Sequence, residues 1–122
     1  LMENDVEKYT YIYALIDPRD DRVRYVGKSD NPKLRYSSHL SINNLDKPSY
    51  KNSWIKSLLD DELSPGLIIL EKVKSIDWEE KEKYWIKYYI IIVVIFLSNH
   101  FVVVFLQHFL LARNCNFTVP LV

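Results

Sequence analysis

Residues 10–27 read TYIYALIDPRDDRVRYVG. Thr10–Ile16 is dense in β-branched and aromatic residues, the composition of a strand. Asp17-Pro18-Arg19-Asp20-Asp21 is turn chemistry, and Arg22–Gly27 alternates as a second strand. So short a link between two strands predicts an antiparallel hairpin. Along the first strand Tyr11, Tyr13 and Leu15 point one way and Ile12, Ala14 and Ile16 the other, the second set forming a natural core face. On the second strand Val23, Tyr25 and Gly27 share a face, so the hairpin can bring Tyr13 and Tyr25 together.

Downstream, Asp30-Asn31-Pro32 is a helix start, a capping side chain followed by proline at the first helical position. That helix is predicted over Pro32–Asn43. A second helix begins near Ser49, with Tyr50, Trp54, Ile55, Leu58 and Leu59 as its apolar stripe. Pro65-Gly66 interrupts the chain, and Leu67–Val73 reads as a third strand. Asp77 with Glu80 three residues later resembles a capping box, opening a third helix that runs through at least Tyr88. The order β-β-α-α-β-α predicts a small α+β domain: an antiparallel three-stranded sheet flanked by helices.

The chain has 122 residues, of which 48% are apolar and 26% charged, with zero formal net charge. That length suits one domain, and no global basic field announces a nucleic-acid partner. The charge is unevenly placed, because every Lys, Arg, Asp and Glu except Arg113 lies in residues 1–87. Residues 88–112 form a run of 25 without any of these, against the roughly 20 apolar residues needed to span a bilayer. The segment reads as a transmembrane helix, as a core or partner-binding segment, or as an aberrant C-terminus. Ser98-Asn99-His100 and Gln107-His108 weigh against the membrane reading. The lone Cys115 excludes an internal disulfide and a cysteine zinc site, and the N-terminus lacks the pattern of a signal peptide. A cytoplasmic location is expected, with membrane association through 88–112 as the alternative.

Several polar residues stand where packing alone does not call for them. Glu82 shares a helical face with Trp78, Trp85, Ile86 and Tyr89, and a carboxylate there either reaches water at the rim or binds a metal. Arg35 and His39 lie four residues apart on the first helix. An arginine fork suits phosphate, and a histidine can orient a neighbour or carry a proton; a solvated polar face is the plain alternative. Tyr13 and Tyr25 are either strand packing or phenols that position an attacking water. Gly27 at a strand end permits positive φ or close backbone approach. Arg24, Lys28, Lys33 and Lys51 are candidate phosphate contacts within a surface that also carries acidic groups.

Taken in order, Tyr11-Ile12-Tyr13, then Tyr25-Val26-Gly27, then PKLRYSSHL, KNSWIKSLL and EEKEKYWIKYY resemble the signature of the GIY-YIG nuclease family over about residues 7–89. The resemblance implies a domain at 7–89 followed by a hydrophobic tail at 90–122. It implies a DNA endonuclease using one divalent ion, Mg2+ or Mn2+, and no small-molecule cofactor. It further implies that Tyr13 activates or positions the attacking water, that Tyr25 lines the site and that Arg35 stabilises charge on the phosphate. His39 is then the histidine beside the first tyrosine, Glu82 the metal ligand, and Gly27 the glycine closing the second motif. Two features depart from the family. Tyr11 replaces its glycine, and the chain runs into YIIIVVIFLSNHFVVVFLQHFLLAR where the family has a polar, asparagine-bearing segment. A truncated or inactive remnant that binds DNA, or a membrane-anchored small protein, are therefore the competing readings.

Overall fold

The computed structural model describes residues 7–97, and their side chains as far as Ile92. Two strands open the chain, β1 (Tyr9–Asp17) and β2 (Arg22–Ser29), followed by helices α1 (Pro32–His39), α2 (Ile42–Leu45) and α3 (Tyr50–Asp60). Strand β3 (Gly66–Lys74), a 3-10 turn (Ser75–Asp77) and helix α4 (Trp78–Leu97) complete the described part. The sheet order is β2-β1-β3, antiparallel throughout. The α+β class expected from the sequence is the class observed.

β1 is the central strand, hydrogen-bonded along both edges, and both of its faces are buried. Ile12 and Ala14 pack with Val26, Val73, Ile86 and Ile90 beneath α4. Tyr13 and Leu15 pack with Tyr25, Leu45, Trp54, Ile55 and Leu58 beneath α2 and α3. The single core face predicted on Ile12, Ala14 and Ile16 is thus corrected to two. The helices before and after β3 cover opposite sides of the sheet, so the face that holds Tyr13 is as dry as the other.

Two bulges set which residues face where. β1 pairs Leu15 with Tyr25 and Ile16 with Val23, leaving Arg24 as the extra residue of β2. An extra residue inverts the alternation beyond it. Val23 accordingly packs on the α4 side while Tyr25 packs on the α3 side, correcting the shared face predicted for Val23, Tyr25 and Gly27. In β3 the step from Ile69 to Glu71 opposite Tyr13 and Ile12 leaves Leu70 as the extra residue.

The helix starts follow local chemistry. Asn31 accepts from the Leu34 amide at 3.2 Å with Pro32 behind it, and Ser49 accepts from the Asn52 amide at 3.0 Å. The helix predicted over Pro32–Asn43 is divided. It ends at His39, and Ser41, extended at ψ 145, caps α2 through the Asn44 amide. A serine hydroxyl competes for backbone donors and so favours a new start over helix continuation. The predicted Asp77–Glu80 capping box does not form among the described residues. A cap needs extended backbone, whereas Asp77 ends a 3-10 turn that runs straight into α4.

Asp17, expected as a turn residue, is the last residue of β1 and is 1% exposed. Its carboxylate accepts from the Arg19 amide at 2.9 Å, from Arg19 Nε at 3.0 Å and from Trp54 Nε1 at 2.9 Å. Arg24 lies 3.6 Å away. One buried anion thereby ties the hairpin turn to α3.

Most of the hydrophobic tail predicted for 90–122 lies outside the described residues, as do Asn99 and Cys115. The part that is described continues α4 to Leu97. Among the described residues no helix is long and apolar enough to cross a membrane.

The Arg19 guanidinium hydrogen-bonded to Asp17 holds its carboxyl well below its ordinary value of 3.8. A carboxylate depressed on folding contributes stability above its unfolded pKa and loses it as pH falls below that value. Urea midpoints should therefore fall as pH drops from about 5 to 3, and Asp17→Ala should flatten that slope. At neutral pH the same variant leaves the buried Trp54 N–H without its acceptor and should cost about 1–3 kcal/mol.

Candidate active site

The site begins with β1 and β2 side by side. Register places Tyr13 opposite Gly27, and the absence of a side chain at Gly27 lets the Tyr13 and Tyr25 rings lie across it. A Cβ at Gly27 would stand 2.7 Å from Tyr13 Oη and 2.8 Å from Tyr25 Cε1. Neither glycine has positive φ, so of the two roles foreseen for Gly27 the operative one is close approach.

α1 brings His39 to the same point. Its ring is fully buried, and Nε2 lies 2.7 Å from Tyr13 Oη. The ring meets Tyr25 edge-on, with centroids 5.1 Å apart, and the two tyrosine rings lie 6.2 Å apart. The solvated alternative for His39 is thereby set aside. Tyr13, Tyr25, Gly27 and His39, far apart in the chain, are brought into one contact set.

Arg35 lies one turn before His39 but is exposed. It lines an open groove of about 560 Å³ with Lys28, Ser29, Asp30, Asn31, Leu34 and Ser38. α1 thus runs from an open end that carries the arginine to a buried end that carries the histidine. Among the described residues Arg35 has no side-chain hydrogen bond or ion pair, so its fork is available to an anionic ligand. Ser38 and Asn31 line the same groove; the sequence marked Asn31 only as a helix cap, and helical spacing from Arg35 points to Ser38.

Glu82 is half-buried on α4, with Trp78, Trp85 and Tyr89 of the same stripe packed onto the sheet. It belongs to the helix on the other face of the sheet from the tyrosine pair. The two regions approach around β2, where Lys28 Nζ sits 4.5 Å above the Trp78 ring, one turn before Glu82. Lys28 also lines the groove that holds Arg35.

The candidate phosphate contacts divide. Lys28 and Lys33 are exposed. Arg24, the extra residue of β2, is ion-paired with Asp17 and Asp20 and is 21% exposed. Lys51 is turned inward, with Nζ 2.9 Å from His39 Nδ1 and 5.2 Å from the Tyr25 ring centroid.

Among the described residues no group of three or more His, Cys, Asp or Glu side chains converges on a point. Magnesium does not require such a cage, since it keeps several waters and binds through one or two carboxylates plus substrate phosphates. A single half-buried glutamate is a donor set of that kind, so the residues present fit such an ion.

A family model described as the GIY-YIG catalytic domain matches residues 9–90. No curated protein and no solved structure matches the chain.

The Gly27 geometry predicts that Gly27→Ala displaces the Tyr13 hydroxyl from His39. The substitution should cost about 1–3 kcal/mol in urea unfolding, the usual range for overpacking. It should also alter the near-ultraviolet tyrosine signal, while Gly66→Ala, whose nearest neighbour would stand at 3.6 Å, should leave that signal unchanged.

Proposed function

The chain belongs to the GIY-YIG catalytic-domain family, a nuclease family, and from that premise we propose that it is a divalent-metal-dependent endonuclease hydrolysing DNA phosphodiester bonds. The observation that carries the reading is that α1 joins the buried Tyr13–His39 hydrogen bond, at its His39 end, to a groove lined by Arg35 and Lys28 one turn earlier. A phenol with its oxygen fixed by a histidine lies at the buried end of α1, and the open end of the same helix carries Arg35 to the groove. That is an arrangement for orienting a small nucleophile against an anionic ester. The domain carrying it extends over residues 7–89.

The roles follow from chemistry. Tyr13 orients the attacking water, and Tyr25 packs across Gly27 to hold the Tyr13 ring. His39 fixes the Tyr13 oxygen. Water oxygen bonds to phosphorus, the bond to the leaving sugar oxygen breaks, and the planar Arg35 fork meets the charge that accumulates on the phosphoryl oxygens. Glu82 would hold a Mg2+ or Mn2+ ion, which when bound supplies Lewis-acid stabilisation of the phosphate. Lys28 and Lys33 contact the DNA backbone, giving affinity without sequence readout.

One observation favours a second reading. α4 continues past Glu82 into an uncharged apolar run rather than a polar segment with an asparagine. On that reading the chain is a remnant that binds DNA without cutting it.

Supercoiled plasmid incubated with the purified full-length chain and Mg2+ or Mn2+ should be nicked, and chelation should stop the reaction. Glu82→Ala and Arg35→Ala should each lower the rate by about 100- to 1,000-fold. Tyr13→Phe, which keeps the ring and removes the hydroxyl, should cost about 100-fold or more. Nicking that survives all three substitutions would sink the proposal. Salt-sensitive binding with no metal-dependent nicking would establish the remnant reading instead.

A further inference from the structure

We infer that Lys51 is a positioning residue of this site, whose ammonium fixes the proton of His39 on Nε2 and so makes the imidazole a hydrogen-bond donor to Tyr13. As a statement about catalysis the inference rests on the nuclease reading above. As a statement about the histidine it stands independently.

The geometry makes a chain. Lys51 Nζ lies 2.9 Å from His39 Nδ1, and His39 Nε2 lies 2.7 Å from Tyr13 Oη. An ammonium has three donors and no acceptor. The nitrogen facing it must therefore offer a lone pair, and in a neutral imidazole the single proton then resides on the other nitrogen. That nitrogen is Nε2, which points at Tyr13. The Tyr13 oxygen accepts, and His39 does not serve as the base that removes the phenolic proton.

Lys51 is built to hold this position. It lies in the first turn of α3, between the cap residue Ser49 and Asn52. The Asn52 side-chain amide donates to the carbonyls of Asn44 and Lys47 at 2.8 and 2.7 Å. These bonds tie α3 to the end of α2 and set the direction in which the Lys51 stem leaves the helix. Its ammonium also lies over the Tyr25 face, a cation–π contact that replaces some of the water the charge gives up on turning inward.

The test has two arms, both on the full chain. In the first, long-range 1H–15N correlation spectra read the tautomer of His39. They separate it from His100 and His108 through the peaks lost in His39→Gln. Expected are a protonated Nε2 and an unprotonated Nδ1 in the native chain and in Lys51→Arg, with a shift toward mixed tautomers in Lys51→Met. A native His39 protonated on Nδ1, or a Lys51→Met spectrum with the tautomer unchanged, overturns the inference whether or not the protein cuts DNA. In the second arm, plasmid nicking by Lys51→Met should show kcat lower by about 10- to 100-fold, the loss typical when a group that orients a functional side chain is removed. KM and the salt dependence of binding should be unchanged, and Lys51→Arg should recover most of kcat. A raised KM with a salt slope reduced by about one, and kcat intact, would make Lys51 a phosphate contact and refute the positioning role. Native protein with the expected tautomer but no nicking would overturn the nuclease reading alone.

Discussion

β1 is buried on both faces, and it carries two polar groups into the face beneath α2 and α3. Tyr13 and Asp17 stand four residues apart on the same side of the strand, the first fully buried and the second 1% exposed. A buried hydroxyl or carboxylate is costly without a partner. Each must therefore be met by something from another part of the chain, and much of the α-helical layer is arranged around meeting them. Asp17 is met by Trp54 from α3 and by Arg19 from the turn. Tyr13 is met by His39 from the end of α1. The two anchors hold the helical layer at the middle and at the end of the strand.

The same requirement links stability to the site. His39 reaches Tyr13 because α1 ends there, and α1 ends there because Ser41 begins a new helix. Lys51 reaches His39 because Ser49 and Asn52 fix the start of α3. A short polar loop sequence thus helps to set the geometry of the Lys51–His39–Tyr13 chain. On the other side of the sheet α4 is held by Ile86, Ile90 and the aromatic stripe, with Trp85 Nε1 donating to Glu71 at 3.0 Å. Glu82 rides on that helix. The tyrosine pair and the carboxylate therefore belong to separate packing units joined through β2, and the chemistry proposed for the site depends on that strand holding both.

Much of this was legible in the residues. The hairpin, the Asn31 and Ser49 caps and the meeting of Tyr13 with Tyr25 come from local pattern, while the β-β-α-α-β-α order lacked the separate helix that Ser41 begins. Gly27 was singled out as a strand-end glycine, and the structure shows what it makes room for. Other features were not legible. The Arg24 bulge inverts the face of Val23, and no periodicity announces an inserted residue. Asp17 looked like turn chemistry because Asp-Pro favours turns, and its burial depends on a tryptophan 37 residues away. Lys51 looked like a DNA contact because lysines usually face water. Its direction follows from the junction of α2 and α3.

What the sequence by itself determined is the kind of most elements, the capped starts of α1 and α3 and the apolar stripe of α3, together with the family to which the ordered motifs belong. These rest on backbone geometry and capping, which act over a few residues. What only the tertiary structure decided is which polar group meets which: His39 with Tyr13, Lys51 with His39, and Trp54 with Asp17. Those pairings join residues 12 to 37 positions apart. They are chosen by the cost of leaving a donor or acceptor unpaired in a dry interior, and that cost arises only once the sheet has a helical layer on each side.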